Sequence, residues 1–106
     1  MVTYEEFRKL ELKVAKIKEV VEHPNADKLY VIKIDLGDSE RQIVAGIRIS
    51  YKPQDLIGKQ VAVITNLEPA VIRGVESQAM ILAASDETGI SILTLQREVK
   101  VGSIIK

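Results

Sequence analysis

Cysteine and tryptophan are absent from the 106-residue chain, and histidine occurs once. Without cysteine there are no disulfides, no thiolate nucleophile and no cysteine-ligated zinc, and the reading that follows is a cytoplasmic protein. Four aromatic residues, Tyr4, Phe7, Tyr30 and Tyr51, are few for a surface that stacks a run of unpaired bases. An excess of either charge sign is also missing, because fifteen basic and fifteen acidic side chains cancel. That balance argues against bulk electrostatic coating of nucleic acid and confines any such site to a local basic face. No apolar run approaches the roughly 18 residues of a membrane-spanning helix. Met1–Leu10 mixes acids and bases and lacks the apolar stretch of a signal peptide.

Side chains that could be gathered for catalysis are equally scarce. His23 is the one histidine, so a Ser-His-Asp arrangement would have to run through it. Its place beside Pro24 in a turn-rich segment predicts an exposed loop residue instead. No HExxH, EF-hand or related ligand spacing occurs, so no metal is expected. The six glycines stand singly, without a Walker or dinucleotide fingerprint, and no nucleotide cofactor is expected.

What is present is apolar patterning over the length of one domain, residues 1–106. A chain of this size buries roughly two-thirds of its unfolded surface, so a second copy or a covalently attached host would add burial. Thr3-Tyr-Glu-Glu6 has the spacing of a capping box and predicts a short helix over Tyr4–Leu10. From Glu11 to Val21 the alternation slips near Ala15-Lys16, which predicts a bulged, bent strand. Leu29–Leu36 and Arg41–Ala45 flank Gly37 as a hairpin, and Pro53 opens a helical turn that ends at Gly58. Gln60–Thr65 reads as a buried strand, Asn66–Ser77 as an ordered loop, and Ala79–Ala84 with Ile90–Leu95 as a second hairpin. About six short strands with no crossover helices predict an all-β sandwich or small barrel. The tail ends in Ile104-Ile105, apolar enough to need a partner surface.

Two polar segments stand out. His23-Pro-Asn-Ala-Asp-Lys-Leu-Tyr30 delivers Lys28 to the start of a strand, where its ammonium could meet a phosphate, with Asn25 as a donor to phosphate, ribose or base edge. Val71-Ile-Arg-Gly-Val-Glu-Ser-Gln-Ala-Met80 brings Arg73, Ser77 and Gln78 to the mouth of an apolar strand. Arg41 starts the third strand and either faces the open side of the barrel or forms a surface pair with Glu40 or Asp27. Met80 sits in an apolar run and by pattern is a core filler.

Taken together, Leu12-Lys-Val-Ala-Lys-Ile17, His23-Pro-Asn-Ala-Asp-Lys-Leu-Tyr30, Arg41-Gln-Ile-Val-Ala-Gly46, Tyr51-Lys-Pro, Asn66-Leu-Glu-Pro69 and Arg73-Gly-Val-Glu-Ser-Gln-Ala-Met80 resemble the tRNA-binding domain family. Its members include the C-terminal domain of methionyl-tRNA synthetases, free-standing tRNA-binding proteins and a secretion-related bacterial chaperone. The resemblance runs from about Thr3 to Ile105. It implies a five-stranded oligonucleotide-binding barrel with a short N-terminal helix and a β extension over about 86–106, and a non-catalytic, structure-specific tRNA binder without cofactor. It also implies a homodimer, joined here through Tyr4, Phe7, Ile104 and Ile105, that raises the tRNA affinity of a methionyl-tRNA synthetase. By the same resemblance Ser77 and Met80 fall at tRNA-contact positions, with Asn25, Lys28, Arg41, Arg73 and Gln78 as companions. Ala15 and Ala79 stand where the family commonly has glycine. The alternative is a dimeric protein-interaction module, chaperone-like, that meets peptide on the same face, and the zero net charge favours it slightly.

Overall fold

An eleven-residue first strand organises the structure, a computed structural model that describes all residues from Met1 to Lys106. Strand β1 (Leu12–Glu22) pairs with two partners in succession: its first half with β4 (Gln60–Ile64) and its second half with β2 (Tyr30–Asp35). The bend between the halves falls between Ile17 and Glu19, two residues later than the apolar pattern suggests. The reason is that the first half is buried on both faces. Ala15 and Ile17 point into the barrel, while Leu12 and Val14 lie on the outer face opposite Ile64 and Ala62. The apolar slip at Ala15 therefore marks double burial, and the bulge itself comes where Ile17 and Val20 must both face inward.

Strand β2 continues antiparallel into β3 (Glu40–Ala45), giving the sheet order β3-β2-β1-β4-β7, where β7 is Met80–Ile81. Ile17, Ile32, Ile34, Ile43, Val61 and Val63 fill the interior, and helix α2 (Pro53–Leu56) plugs it with Leu56. Helix α1 is shorter than its apolar pattern, Tyr4–Phe7, and carries the expected capping box between Thr3 and Glu6. No helix is long and apolar enough to cross a membrane.

Two segments differ from the sequence reading. Residues 66–77 are not simply a loop, since β5 (Ala70–Ile72) and β6 (Val75–Ser77) form a tight hairpin. Its central residues Arg73 and Gly74 both have positive φ, 52° and 89°, the combination of primed hairpin turns. An arginine at such a position gives no turn signal in sequence. The expected strand Ala79–Ala84 is split at Leu82 into β7, which pairs with β4, and β8 (Ala83–Asp86), which pairs with β9 (Gly89–Ile92). Leu82 donates to the Ala62 carbonyl and accepts from Leu93, so it is the pivot at which the chain leaves the barrel.

The C-terminal residues occupy the edge of β1 that β2 leaves open. Val14 donates to Ser103, Gly102 to Val14 and Ile105 to Leu12. Gly102 allows this approach because a Cβ there would stand 2.5 Å from the Leu36 carbonyl oxygen. The Gln60 side chain seals the return with reciprocal bonds to Val99, 2.6 and 3.0 Å.

The barrel closes between β3 and the 77–79 segment largely through side chains. Val44 donates its amide to Ser77 Oγ (2.9 Å), Gln42 donates its amide to Gln78 Oε1 (3.0 Å), and Gln78 returns its amide to the Gln42 carbonyl (2.8 Å). Ser77 is 7% exposed, and its hydroxyl also donates to Ala79. Ser77→Ala should therefore strand a buried amide and lower unfolding free energy by about 1–3 kcal/mol. Urea denaturation checks this, and an unchanged midpoint would contradict the seam as described.

Candidate nucleic-acid interface

At one end of the barrel the 23–28 loop meets the β5–β6 turn. The loop leaves β1 at His23, whose amide donates to Leu29 (3.1 Å) and so closes the loop neck. His23 is 3% exposed, which corrects the expectation of an exposed loop histidine. Burial follows from two bonds: Nδ1 accepts the Asn25 amide at 2.9 Å, and Nε2 donates to the Ile72 carbonyl at 3.0 Å. With both ring nitrogens engaged, His23 offers no lone pair to a nucleophile.

The loop and hairpin then exchange two further bonds. Asn25 Nδ2 donates to the Arg73 carbonyl (3.2 Å), and Arg73 Nη2 donates to the Asn25 carbonyl (3.1 Å). Arg48 supports the loop from behind, its guanidinium reaching the Ala26 carbonyl and the Glu22 carboxylate. Lys28 is exposed at the loop's end, and neither Lys28 nor Arg73 takes part in an ion pair. The structure thus brings Asn25 and Arg73 together and stands Lys28 on the same short loop.

Arg41, Ser77 and Gln78 lie along the seam. Arg41 pairs across the sheet with Ile34, half-buried, and its guanidinium donates to the Thr65 carbonyl. It pairs with neither Glu40 nor Asp27, the surface partners considered from sequence. Together with Glu40, Thr65, Leu67, Pro69, Glu76 and Gln78 it lines an open cleft of about 360 Å³. Thr65 in turn donates to Glu11 (2.7 Å), and this bond, ahead of the neighbouring Lys13, holds the Glu11 carboxyl below the ordinary carboxylate range. Ser77 is turned inward as a seam residue, whereas Gln78 is half-buried and ties its amide nitrogen to Glu76 (3.0 Å).

Met80 is 45% exposed, against its pattern-based reading as core. The alternation puts Ala79 inside and Met80 outside, because Ala79 belongs to the buried cluster. An alanine methyl in place of glycine at 79 therefore adds to the core and leaves the outer surface at Met80 unobstructed. Ala15 is likewise fully buried and takes up core space.

Sequence reasoning missed Gln42, Thr65 and Arg48. Each acts on backbone groups distant in sequence, so no local spacing marks it. Near the start of β1, away from the 23–28 loop, the apolar side chains of Tyr4 (69% exposed), Phe7, Leu10 and Ile104 (73% exposed) stand in solvent, and Ile105 is half-buried. Ile104 bridges to Lys13, and it lines a mixed cleft with Arg8, Lys9, Leu10, Glu11 and Lys13, so both chain ends meet there.

Residues 12–104 match the family described as "Putative tRNA binding domain". The methionine–tRNA ligase of Thermococcus kodakarensis is 54% identical over 105 residues, which are 99% of this chain and 14% of that protein. The chain therefore spans about one-seventh of the length of this curated relative. Among solved structures, a MetRS related protein from Pyrococcus horikoshii superposes with a TM-score of 0.93 at 34% identity, covering 100% of this chain and 98% of the other. The chaperone CsaA from Bacillus anthracis gives 0.92 at 27% identity, covering 100% and 99%. The family match over residues 12–104 and the identity over 99% of its length show that the chain belongs to the tRNA-binding domain family.

Proposed function

We propose that this domain, residues 1–106, grips the folded shape of tRNA through the loop–hairpin end of its barrel and performs no chemistry itself. The observation that carries the reading is the pair Lys28 and Arg73: two exposed cations without carboxylate partners, on two segments cross-tied by hydrogen bonds, in a chain of zero net charge. Phosphate oxygens are the ligands such cations fit, and a fixed spacing between cations selects a shaped backbone over a flexible strand. Asn25, Arg41, Gln78 and Met80 extend the contact along the seam, with Ser77 shaping it from beneath.

Arg73 holds a backbone conformation that L-residues avoid, at a cost of roughly 1–2 kcal/mol that asparagine or glycine would relieve. An arginine kept at such a point fits a ligand contact better than a turn former. The matched ligases carry the remaining 86% of their length outside this domain, the difference between 100% and the 14% matched. Attached to or associated with such a catalytic core in the cytoplasm, the domain would add a second hold on tRNA and raise its effective concentration there. The apolar surface of Tyr4, Phe7, Ile104 and Ile105 joins two copies into a homodimer. The likeness to a chaperone structure favours, as a second reading, peptide on the same face.

Lys28→Ala and Arg73→Ala should each weaken tRNA binding and lower the slope of log K against log salt by about 1, with melting temperatures unchanged. Fluorescence titrations over a salt series check this, and native affinity in both variants would discard the site. Arg73→Asn should lose the same affinity while its melting temperature stays level or rises. A lower melting temperature with intact binding would reverse the role assigned to Arg73. Sedimentation equilibrium should show a dimer at micromolar concentration that Phe7→Asp or Ile104→Asp dissociates, and a native monomer there would remove the homodimer.

A further inference from the structure

We infer that His23 is the positioning residue of the RNA site: its Nε2–H bond to the Ile72 carbonyl is the joint that holds the 23–28 loop and the β5–β6 hairpin as one unit. The inference rests on the site proposed above, in that it explains how Lys28 and Arg73 keep their spacing. At 3% exposure the ring cannot itself contact a macromolecule, so any effect on binding must pass through what it holds.

The two ring nitrogens have separable roles. Nδ1 makes a local bond, to an amide two residues on, and shapes the loop in the manner of an Asx turn. Nε2 makes a long-range bond across 49 residues of sequence, to the carbonyl just before Arg73. The other loop–hairpin bonds, Asn25 to Arg73 and Arg73 to Asn25, are exposed and compete with water. The His23 bond is part-buried under the loop and keeps its strength. Arg48 meanwhile fixes the loop's far half, donating its amide to the Lys28 carbonyl (3.4 Å) and its guanidinium to Ala26 (3.2 Å). Arg48 thus anchors the loop on one side and His23 ties it to the hairpin on the other. Cut at His23, the hairpin turn can swing away from Lys28, and RNA must then restore the spacing at the expense of affinity.

Two conservative variants separate the nitrogens. His23→Asn keeps an acceptor at the Nδ1 position for the Asn25 amide but is too short to reach Ile72. His23→Gln places an amide nitrogen near the Nε2 position and can remake the bond. Titrated with tRNA at fixed salt, His23→Asn should bind about tenfold more weakly and His23→Gln within about threefold of the native chain. In a double-mutant cycle, His23→Asn should cost little once Arg73→Ala is present, because a misplaced hairpin without its cation has nothing left to misplace. Equal loss in both variants, or strict additivity with Arg73→Ala, would assign the ring a bulk packing role and overturn the inference.

Should His23→Asn fail to fold, hydrogen exchange on the native chain decides. The Asn25 amide and the β5–β6 ladder amides should open in one shared event, and independent opening would refute the joint. If Lys28→Ala and Arg73→Ala lower affinity while His23→Asn binds as native, the joint is wrong and the site stands. If neither lysine nor arginine variant changes affinity, the site is wrong and the inference falls with it.

Discussion

Gln42 and Val44 lie on the outer edge of β3, and the amides of an edge strand must find acceptors or meet water. Here they find Gln78 Oε1 and Ser77 Oγ. Two side chains take the place of a strand's carbonyls and close a five-stranded sheet into a barrel. The closure is also what points the β5–β6 hairpin at the 23–28 loop, because Ser77 ends β6 and Gln78 begins the return towards β7. A seam made of backbone ladder would run on past this point. One made largely of side chains is local, and leaves the hairpin to lean over the barrel end where His23 and Asn25 receive it.

The same economy governs the rest of the molecule. Strand β1 serves β4, β2 and the C-terminal residues in turn, and its first half buries Leu12 and Val14 on one face and Ala15 and Ile17 on the other. The C-terminal segment bonds to Leu12 and Val14 along that strand's edge and leaves Ile104 exposed opposite Lys13. The cross-tied loop and hairpin and the exposed apolar side chains of Tyr4 and Ile104 thereby stand on separate elements, so the proposed RNA site and the proposed dimer surface do not compete for the same residues. Zero net charge is no obstacle to the first, because cations matter to phosphate only where they are grouped and unpaired.

Elements whose cause is local could be read from sequence. The capping box at Thr3 and Glu6, the β2–β3 hairpin around Gly37 and the proline-started turn at Pro53 all rest on neighbouring residues. The polar segments holding Lys28 and Arg73 stood out for the same reason. What escaped depends on contacts distant in sequence. His23 looked exposed because its partner, the Ile72 carbonyl, is backbone from another element. The Arg73-Gly74 turn was hidden because arginine is no turn former, and the cross-ties to Asn25 that hold it come from a loop distant in sequence. Met80 was misjudged by composition, since the parity of a two-residue strand cannot be read from an apolar run.

In the function proposed here, a net-neutral barrel recognises folded tRNA through a small set of fixed cations. The direct measurement is titration of the chain with total tRNA across a salt series, in the presence of single-stranded DNA, duplex RNA and an unfolded peptide as competitors. Micromolar or tighter binding that falls with salt and resists all three competitors is expected. Absence of binding, or displacement by peptide with little dependence on salt, would contradict that function and leave the barrel as a peptide-binding module.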